Sequence, residues 1–172
     1  MAENQAAAPL GHRAKSLARK FALLGLYEWQ VNPASSPDKL ADVVSNFFNE
    51  GEPESGDLTP EEFGACDQEF FRSLLMEAIE HRETLEAAVS KHLSRPLSQV
   101  SAVERAILLL GATELAYHPE TAFIVVLDEM VELAKQFGSA GKGYRFVNGV
   151  LDKVARELRP EETAAAKKGA KA

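Results

Sequence analysis

The sequence predicts an all-α fold, and three observations carry that expectation. Apolar residues recur at helical spacing through the long segments. No stretch alternates apolar and polar residues as a half-buried strand does. Proline, glycine and capping pairs fall between the apolar runs. With 172 residues, 45% of them apolar and 26% charged, the chain can bury a real core. We expect about seven helices, with residues 12–159 as a single helical domain.

Residues 1–11 are small and Ala-rich and read as a disordered N-terminal segment. From His12 to Gln30 there is no proline, and Leu17, Phe21 and Leu24 recur at helical spacing, so the first helix lies there. "NPASSP" ends it. Ser36 before Pro37 is an N-cap with proline at the first helical position, opening a second helix to about Asn49. "EGEPESGD" is a polar loop, and Thr59 with Glu62 forms a capping-box pair at a third start. Residues 67–93 are helical with a break near His81. Phe70, Leu74 and Ile79 make one apolar stripe, Leu85, Val89 and Leu93 another, and Pro96 stops the run. Ser101 with Glu104 opens Ala102–Tyr117. Thr121–Phe137 follows, apolar over much of its circumference and therefore expected at the centre. "GSAGKG" is a loop. Tyr144–Leu158 is the last helix, with Val147, Val150, Leu151, Val154 and Leu158 on one face. Residues 160–172, Ala/Lys-rich, read as a flexible tail.

Several function classes are excluded or disfavoured. The single cysteine, Cys66, rules out an internal disulfide framework and an all-cysteine metal site, which fits a reducing, cytoplasmic setting. The N-terminus lacks the apolar run of a signal peptide, and the longest apolar runs are far too short to span a bilayer. No phosphate-binding glycine loop, dinucleotide fingerprint or His/Cys metal cluster is present, so no cofactor and no metal are expected. Asp128 and Glu129 point about 100° apart on a helix and read as a solvated edge rather than an acid–base pair.

The formal net charge is −7, but its distribution is uneven. Residues 50–69 hold eight acids and no Lys or Arg; residues 12–20 hold Arg13, Lys15, Arg19 and Lys20 and no acid; residues 135–159 hold six Lys/Arg against two acids. Two basic segments that meet in space can bind a polyanion even on an acidic protein. At about 100° per residue, His12, Lys15 and Arg19 fall on the side of the first helix opposite Leu17. Arg13, Lys20 and Tyr27 fall along the edge between that side and Leu17. One basic stripe is thus expected opposite the core face and another along its edge, with Arg19 and Lys20 largely exposed. On the last helix Arg145, Asp152 and Arg156 fall opposite Val147, away from the core.

Four stretches, "ARKFALLGLYEWQ" (18–30), "VERAILLLGATEL" (103–115), "VVLDEMVELAKQFG" (125–138) and "RFVNGVLDK" (145–153), resemble the NusB family of bacterial transcription antitermination factors. The resemblance covers roughly residues 13–158 and is weakest over 31–66. It implies two small perpendicular helical bundles and no catalysis. It also implies binding of single-stranded boxA RNA in nascent ribosomal RNA transcripts together with NusE, a small-subunit ribosomal protein, within an RNA polymerase antitermination complex. By this resemblance His12, Arg13, Lys15, Arg19 and Lys20 contact RNA, although Ser16 and Leu17 stand where many relatives carry arginine. In the loop "FGSAGKGYRF", Lys142 replaces an acid common in relatives, so Lys142 and Arg145 join the RNA contacts. Tyr27 and Glu104 match positions that contact NusE, while Glu104 is also N3 of a capping box. Tyr144 stacks on a base or packs on the loop, and Asn148 touches RNA or the backbone.

Two other readings stand beside this one. The first is a non-catalytic helical interaction protein or homodimer without specific RNA binding. The second is a fragment of a ribosomal RNA cytosine methyltransferase, to which NusB-like domains are fused; the expectation against it is that the chain leaves no room for a cofactor-binding domain.

Overall fold

The structure is a computed structural model that describes residues 11–33, 36, 39–42, 44, 59–138 and 142–171, with side chains as far as 166. The expected disordered segment and the acidic loop of residues 50–57 lie almost wholly outside these residues. Eight helices are named here: α1 (His12–Val31), α2 (Pro60–Ala65), α3 (Gln68–Glu80), α4 (Arg82–Ser90), α5 (Ala102–Tyr117), α6 (Phe123–Phe137), α7 (Gly143–Leu158) and α8 (Pro160–Lys171). Residues 39–42 and 44 are also helical, and no strand occurs among the described residues.

The caps read from the sequence at Thr59 and Ser101 form as predicted, and Asp67 adds another. The Thr59 hydroxyl accepts from the Glu62 N–H at 3.1 Å, the Asp67 carboxylate from Phe70 N–H at 3.1 Å, and the Ser101 hydroxyl from Glu104 N–H at 3.3 Å. Each satisfies a donor that a helix start leaves unpaired. The break expected near His81 is real: His81 ends α3 and precedes α4.

Packing divides the helices into two groups that share one element. Helix α1 packs on α2 and α3, while α6 and α7 pack on one another. Helix α5 touches α1, α3, α4, α6 and α7. Every residue from Ala106 to Leu115 is consequently buried. The sequence places α6 at the centre, but α6 leaves Ile124, Asp128, Glu132 and Lys135 exposed, and α5 holds that position. The apolar circumference of α6 ends where its solvent face begins, whereas α5 has five neighbours and no solvent face along its middle.

The chain read as a tail from residue 160 continues as α8. It is tied down by Arg159, which stands at the end of α7. Its guanidinium donates to the carbonyls of Glu114, Leu115, His118 and Thr121 and to Glu162 Oε1, at 2.5–3.1 Å. These five bonds use all five donors of the side chain and neutralise the C-terminal end of α5. Glu162 in turn accepts from the Phe123 N–H at 2.7 Å and so caps α6. The start of α8 is therefore fixed to the ends of α5 and α6.

Candidate nucleic-acid and partner interface

Helix α1 is buried over more than half its turn. Ala18, Phe21, Ala22 and Leu26 are fully enclosed, and Ala14, Leu17 and Leu23 nearly so. Together these cover about 240° of the helix. The helix lies between α3 on one side and α5 on the other, so the face opposite Leu17, expected to be open, is a second packed face. What remains to solvent is the edge where Arg13 and Tyr27 are exposed and Lys20 half-buried.

Arg19 is the consequence, and it corrects the expectation. The sequence places it on the surface among the RNA contacts; it is 1% exposed. Its Nε donates to both carboxylate oxygens of Glu114 at 3.0 and 2.9 Å, and its Nη2 to Oε1 at 2.5 Å. Glu114 on α5 is fully buried, and the Arg19 guanidinium also stacks over the Phe70 ring at 5.3 Å. A buried cation needs a paired, hydrogen-bonded anion, and α5 supplies one 95 residues away. A phosphate has no access to this side chain.

The neighbouring residues form a network over it. Glu129 on α6 accepts from the Ser16 hydroxyl at 2.9 Å, lies 3.0 Å from His12 Nε2, and lies 3.7 Å from Arg19 Nη1. Glu129 is therefore a bridge from α6 to the head of α1, not the solvated edge expected of it, whereas Asp128 beside it is exposed. His12 keeps 75% of its side chain in solvent. Lys15 is half-buried, with its ammonium 5.2 Å above the Phe70 ring. It also faces Glu120. Burial raises the pKa of that carboxyl, but a backbone hydrogen bond, the His118 hydrogen bond and charge, and the Lys15 charge outweigh burial and hold it below the ordinary value.

Beyond this network, Lys20, Leu23, Leu24 and Tyr27 of α1 meet Val103 of α5 and Phe137 of α6 around an open apolar groove of about 200 Å³. Tyr27, 38% exposed, stands on its rim. Glu104, expected to reach a partner, is turned inward and is 6% exposed. A Cβ on Gly143 would collide with its Oε1, so the absence of a side chain at Gly143 lets the carboxylate lie against the head of α7. A negative charge there is favourable, because helix N-termini carry partial positive charge. The Ser101 cap and this contact fix Glu104 from both sides.

At the head of α7, Lys142 and Arg145 are exposed. Arg145 Nε donates to the Tyr144 hydroxyl at 3.2 Å, and the Tyr144 ring lies under both Arg145 and Lys135, at 5.7 and 5.2 Å. Tyr144 is thus packed between two cations, and Asn148 is exposed. Phe146 is half-buried beneath Arg95, 5.5 Å from its ring centre. The loop to Lys142 leaves from Phe137, which lines the same groove as Lys20. The groove thus joins the middle of α1 to the start of the connection that ends at the head of α7.

Sequence reasoning missed Glu129 and Glu114 as partners of the α1 cations. One signal was available: an acid inside the apolar run "AILLLGATELAY" has to meet a buried cation. Among the described residues no group of three or more His, Cys, Asp or Glu could hold a metal ion, and no helix is long and apolar enough to cross a membrane.

Residues 16–156 match the model of the NusB family. The chain is 40% identical over 154 residues to the transcription antitermination protein NusB of Chromobacterium violaceum, covering 90% of this chain and 94% of the relative. It is 41% identical over 148 residues to that of Laribacter hongkongensis, covering 84% and 79%. Among solved structures, a crystal structure of the antitermination factors NusB and NusE in complex with dsRNA contains a chain that is 28% identical, with a TM-score of 0.69, covering 86% of this chain and 99% of that one. The T. maritima NusB structure, at 23% identity and a TM-score of 0.71, supports the fold.

Proposed function

The chain belongs to the NusB family, and on that premise we propose that it is a cytoplasmic antitermination factor that holds boxA RNA of ribosomal RNA transcripts jointly with NusE in an RNA polymerase complex. The family is one of transcription antitermination factors and not of enzymes. The observation that carries the RNA and NusE part is the likeness to the NusB chain of a NusB–NusE–RNA crystal structure over 86% of the sequence.

The geometry supports a division of labour. Arg13, Lys20, Lys142 and Arg145 supply the accessible charge, with His12 and Lys15 tempered by Glu129 and Glu120. Arg19 holds α1 on α5 beneath them. The apolar groove with Tyr27 on its rim suits NusE, and Glu104, buried against Gly143, serves the joint between α5 and α7 rather than touching the partner. The charge left is modest for a protein of net charge −7, so binding to RNA alone is weak and tightens with NusE.

The test is boxA RNA binding by fluorescence anisotropy, with and without NusE and against a scrambled RNA. About four engaged phosphates give a slope of log K against log salt of roughly −3. Equal affinity for scrambled RNA, or no gain from NusE, rejects the proposal.

A further inference from the structure

Gly149 stands in the middle of α7, exposed, and a Cβ built on it would meet nothing within 4 Å. Glycine inside a helix costs backbone entropy, and no neighbour within the described residues requires it here. What surrounds it is charge. At about 100° per residue, Gly149 falls on the side of α7 opposite Val147, and Lys142, Arg145, Lys153 and Arg156 fall on that side with it. All five are exposed. Arg95, from the connection before α5, reaches the same helix by lying over the Phe146 ring at 5.5 Å. Of the acids on the exposed side of α7, Asp152 is taken up by Arg156 at 3.1 Å, and Glu157 lies 3.8 Å from Lys91 and 3.5 Å from His92. Lys142, Arg145, Lys153 and Arg95 enter no ion pair among the described residues.

We propose that this face of α7 is a second track for the phosphate backbone of single-stranded RNA, with Gly149 at the point of closest approach. The track takes nucleotides flanking the element held at the α1 rim, and it rests on the RNA reading above. The two surfaces are linked through Phe137, which lines the α1 groove and opens the connection to Lys142 at the head of α7. From Lys142 to Arg156 the row is about 21 Å long at 1.5 Å per residue, enough for several phosphates. An acidic protein is a poorer occupant. A stable protein interface is built on buried aromatic or aliphatic anchors, and the centre of this face offers a bare backbone between cations. A phosphate chain needs charge and close approach, and both are present.

Two RNAs separate the possibilities: boxA alone, and boxA extended by about six nucleotides on both sides. Wild-type protein should bind the extended RNA several-fold more tightly, with a salt slope steeper by about 2 if three further phosphates engage. Gly149→Glu places an acid in the middle of the row at no steric cost. It should remove that gain, leave affinity for the short RNA within about two-fold, and not lower the melting temperature. Lys153→Ala should reduce the gain and make the slope shallower by about 0.7. Specific binding of short RNA with no gain from the extension, or a gain that survives Gly149→Glu, overturns the track and leaves the antitermination reading intact. Failure to distinguish boxA from scrambled RNA overturns both.

Discussion

Arg19 on α1 and Arg145 on α7 belong to segments that look alike in the sequence. Each is a basic stretch on an amphipathic helix, and each arginine lies roughly opposite the residue chosen as the centre of the core face. In the structure Arg145 is exposed and touches Tyr144, while Arg19 is sealed between α3 and α5 against Glu114. The difference lies in where the packing helices sit, on two sides of α1 but on one side of α7. Helix α7 is covered on one side and keeps a charged face. Helix α1 lies between α3 and α5 and has two packed faces. The lesson is that charge opposite an apolar stripe marks a surface only when one stripe is all the helix buries.

The sharpest way to break this comparison is to remove the two arginines in turn. Truncating one partner of a buried ion pair leaves the other charge unpaired and costs about 3–5 kcal/mol. We therefore expect Arg19→Ala to lower the melting temperature by about 6–20 °C, the range such a loss gives in a domain of this size. Glu114→Ala should do the same. The double variant Arg19→Met/Glu114→Leu should recover much of the loss, because a buried pair replaced by apolar side chains leaves no orphan charge. Loss of RNA binding by Arg19→Ala with unchanged melting would show instead that the side chain reaches solvent.

Two glycines sharpen the same contrast with opposite signs. A Cβ on Gly111 of α5 would lie 2.6 Å from Leu151 Cδ1 and 3.0 Å from Met130 Cγ. Gly111→Ala should cost about 1–3 kcal/mol by overpacking the point where α5 meets α6 and α7. Gly149→Ala on the open face of α7 should gain about 0.5–1 kcal/mol, since alanine is the better helix former and nothing obstructs it. Chemical denaturation of both variants checks this, and equal signs would mean that α7 is not open at Gly149.

Much of the fold was legible because its signals are local. The caps at Thr59, Ser101 and Ser36, the break at His81 and the bounds of α5 each depend on residues within a turn of one another. What failed depends on distant partners. Arg19 and Glu114 are 95 residues apart, and Arg159 bonds to carbonyls 38–45 residues away. Neither pairing leaves a spacing to read. The candidate site fared likewise. The exposed cations Arg13 and Arg145 follow from helix periodicity and Lys142 from its place in a glycine-rich loop, but the inward turn of Glu104 depends on the lack of a side chain at Gly143 on another helix.

The corner beside the buried side of α1 should also differ from α7 in its response to pH. The Asp67 N–H donates to the Ala14 carbonyl at 3.0 Å, tying the α2–α3 turn to α1 and enclosing Cys66. Burial first, and then the Asp67 charge, push the Cys66 thiol up to about 11 from 9.0. The folded state therefore prefers the neutral thiol. Its contribution is intact below pH 9, where the thiol is protonated in both states, and declines as the unfolded chain ionises first. At pH 10 the loss is about 1.4 kcal/mol, one pH unit of linkage. Cys66→Ser should flatten that part of the stability profile. Native protein at pH 8 should also react with a thiol reagent far more slowly than unfolded protein.

The smallest effect is expected where the two arginines began. Arg145 makes one hydrogen bond, to the hydroxyl of its neighbour Tyr144, and lies 5.7 Å over that ring. Both groups meet water, so the hydrogen bond exchanges for one to solvent, and an exposed cation–π contact contributes about 0.5–1 kcal/mol at most. Lys135 remains over the same ring at 5.2 Å and keeps it covered. Arg145→Ala should therefore change stability by no more than about 0.5 kcal/mol, as surface substitutions usually do, while weakening boxA RNA by several-fold at low salt. Lys142→Asp should weaken RNA further, because it reverses a charge rather than removing one, again without loss of helix. If Arg145→Ala melts as low as Arg19→Ala, the head of α7 is a structural joint and not a free surface. If it melts normally and binds RNA as wild type does, the charge that holds RNA lies on α1 alone.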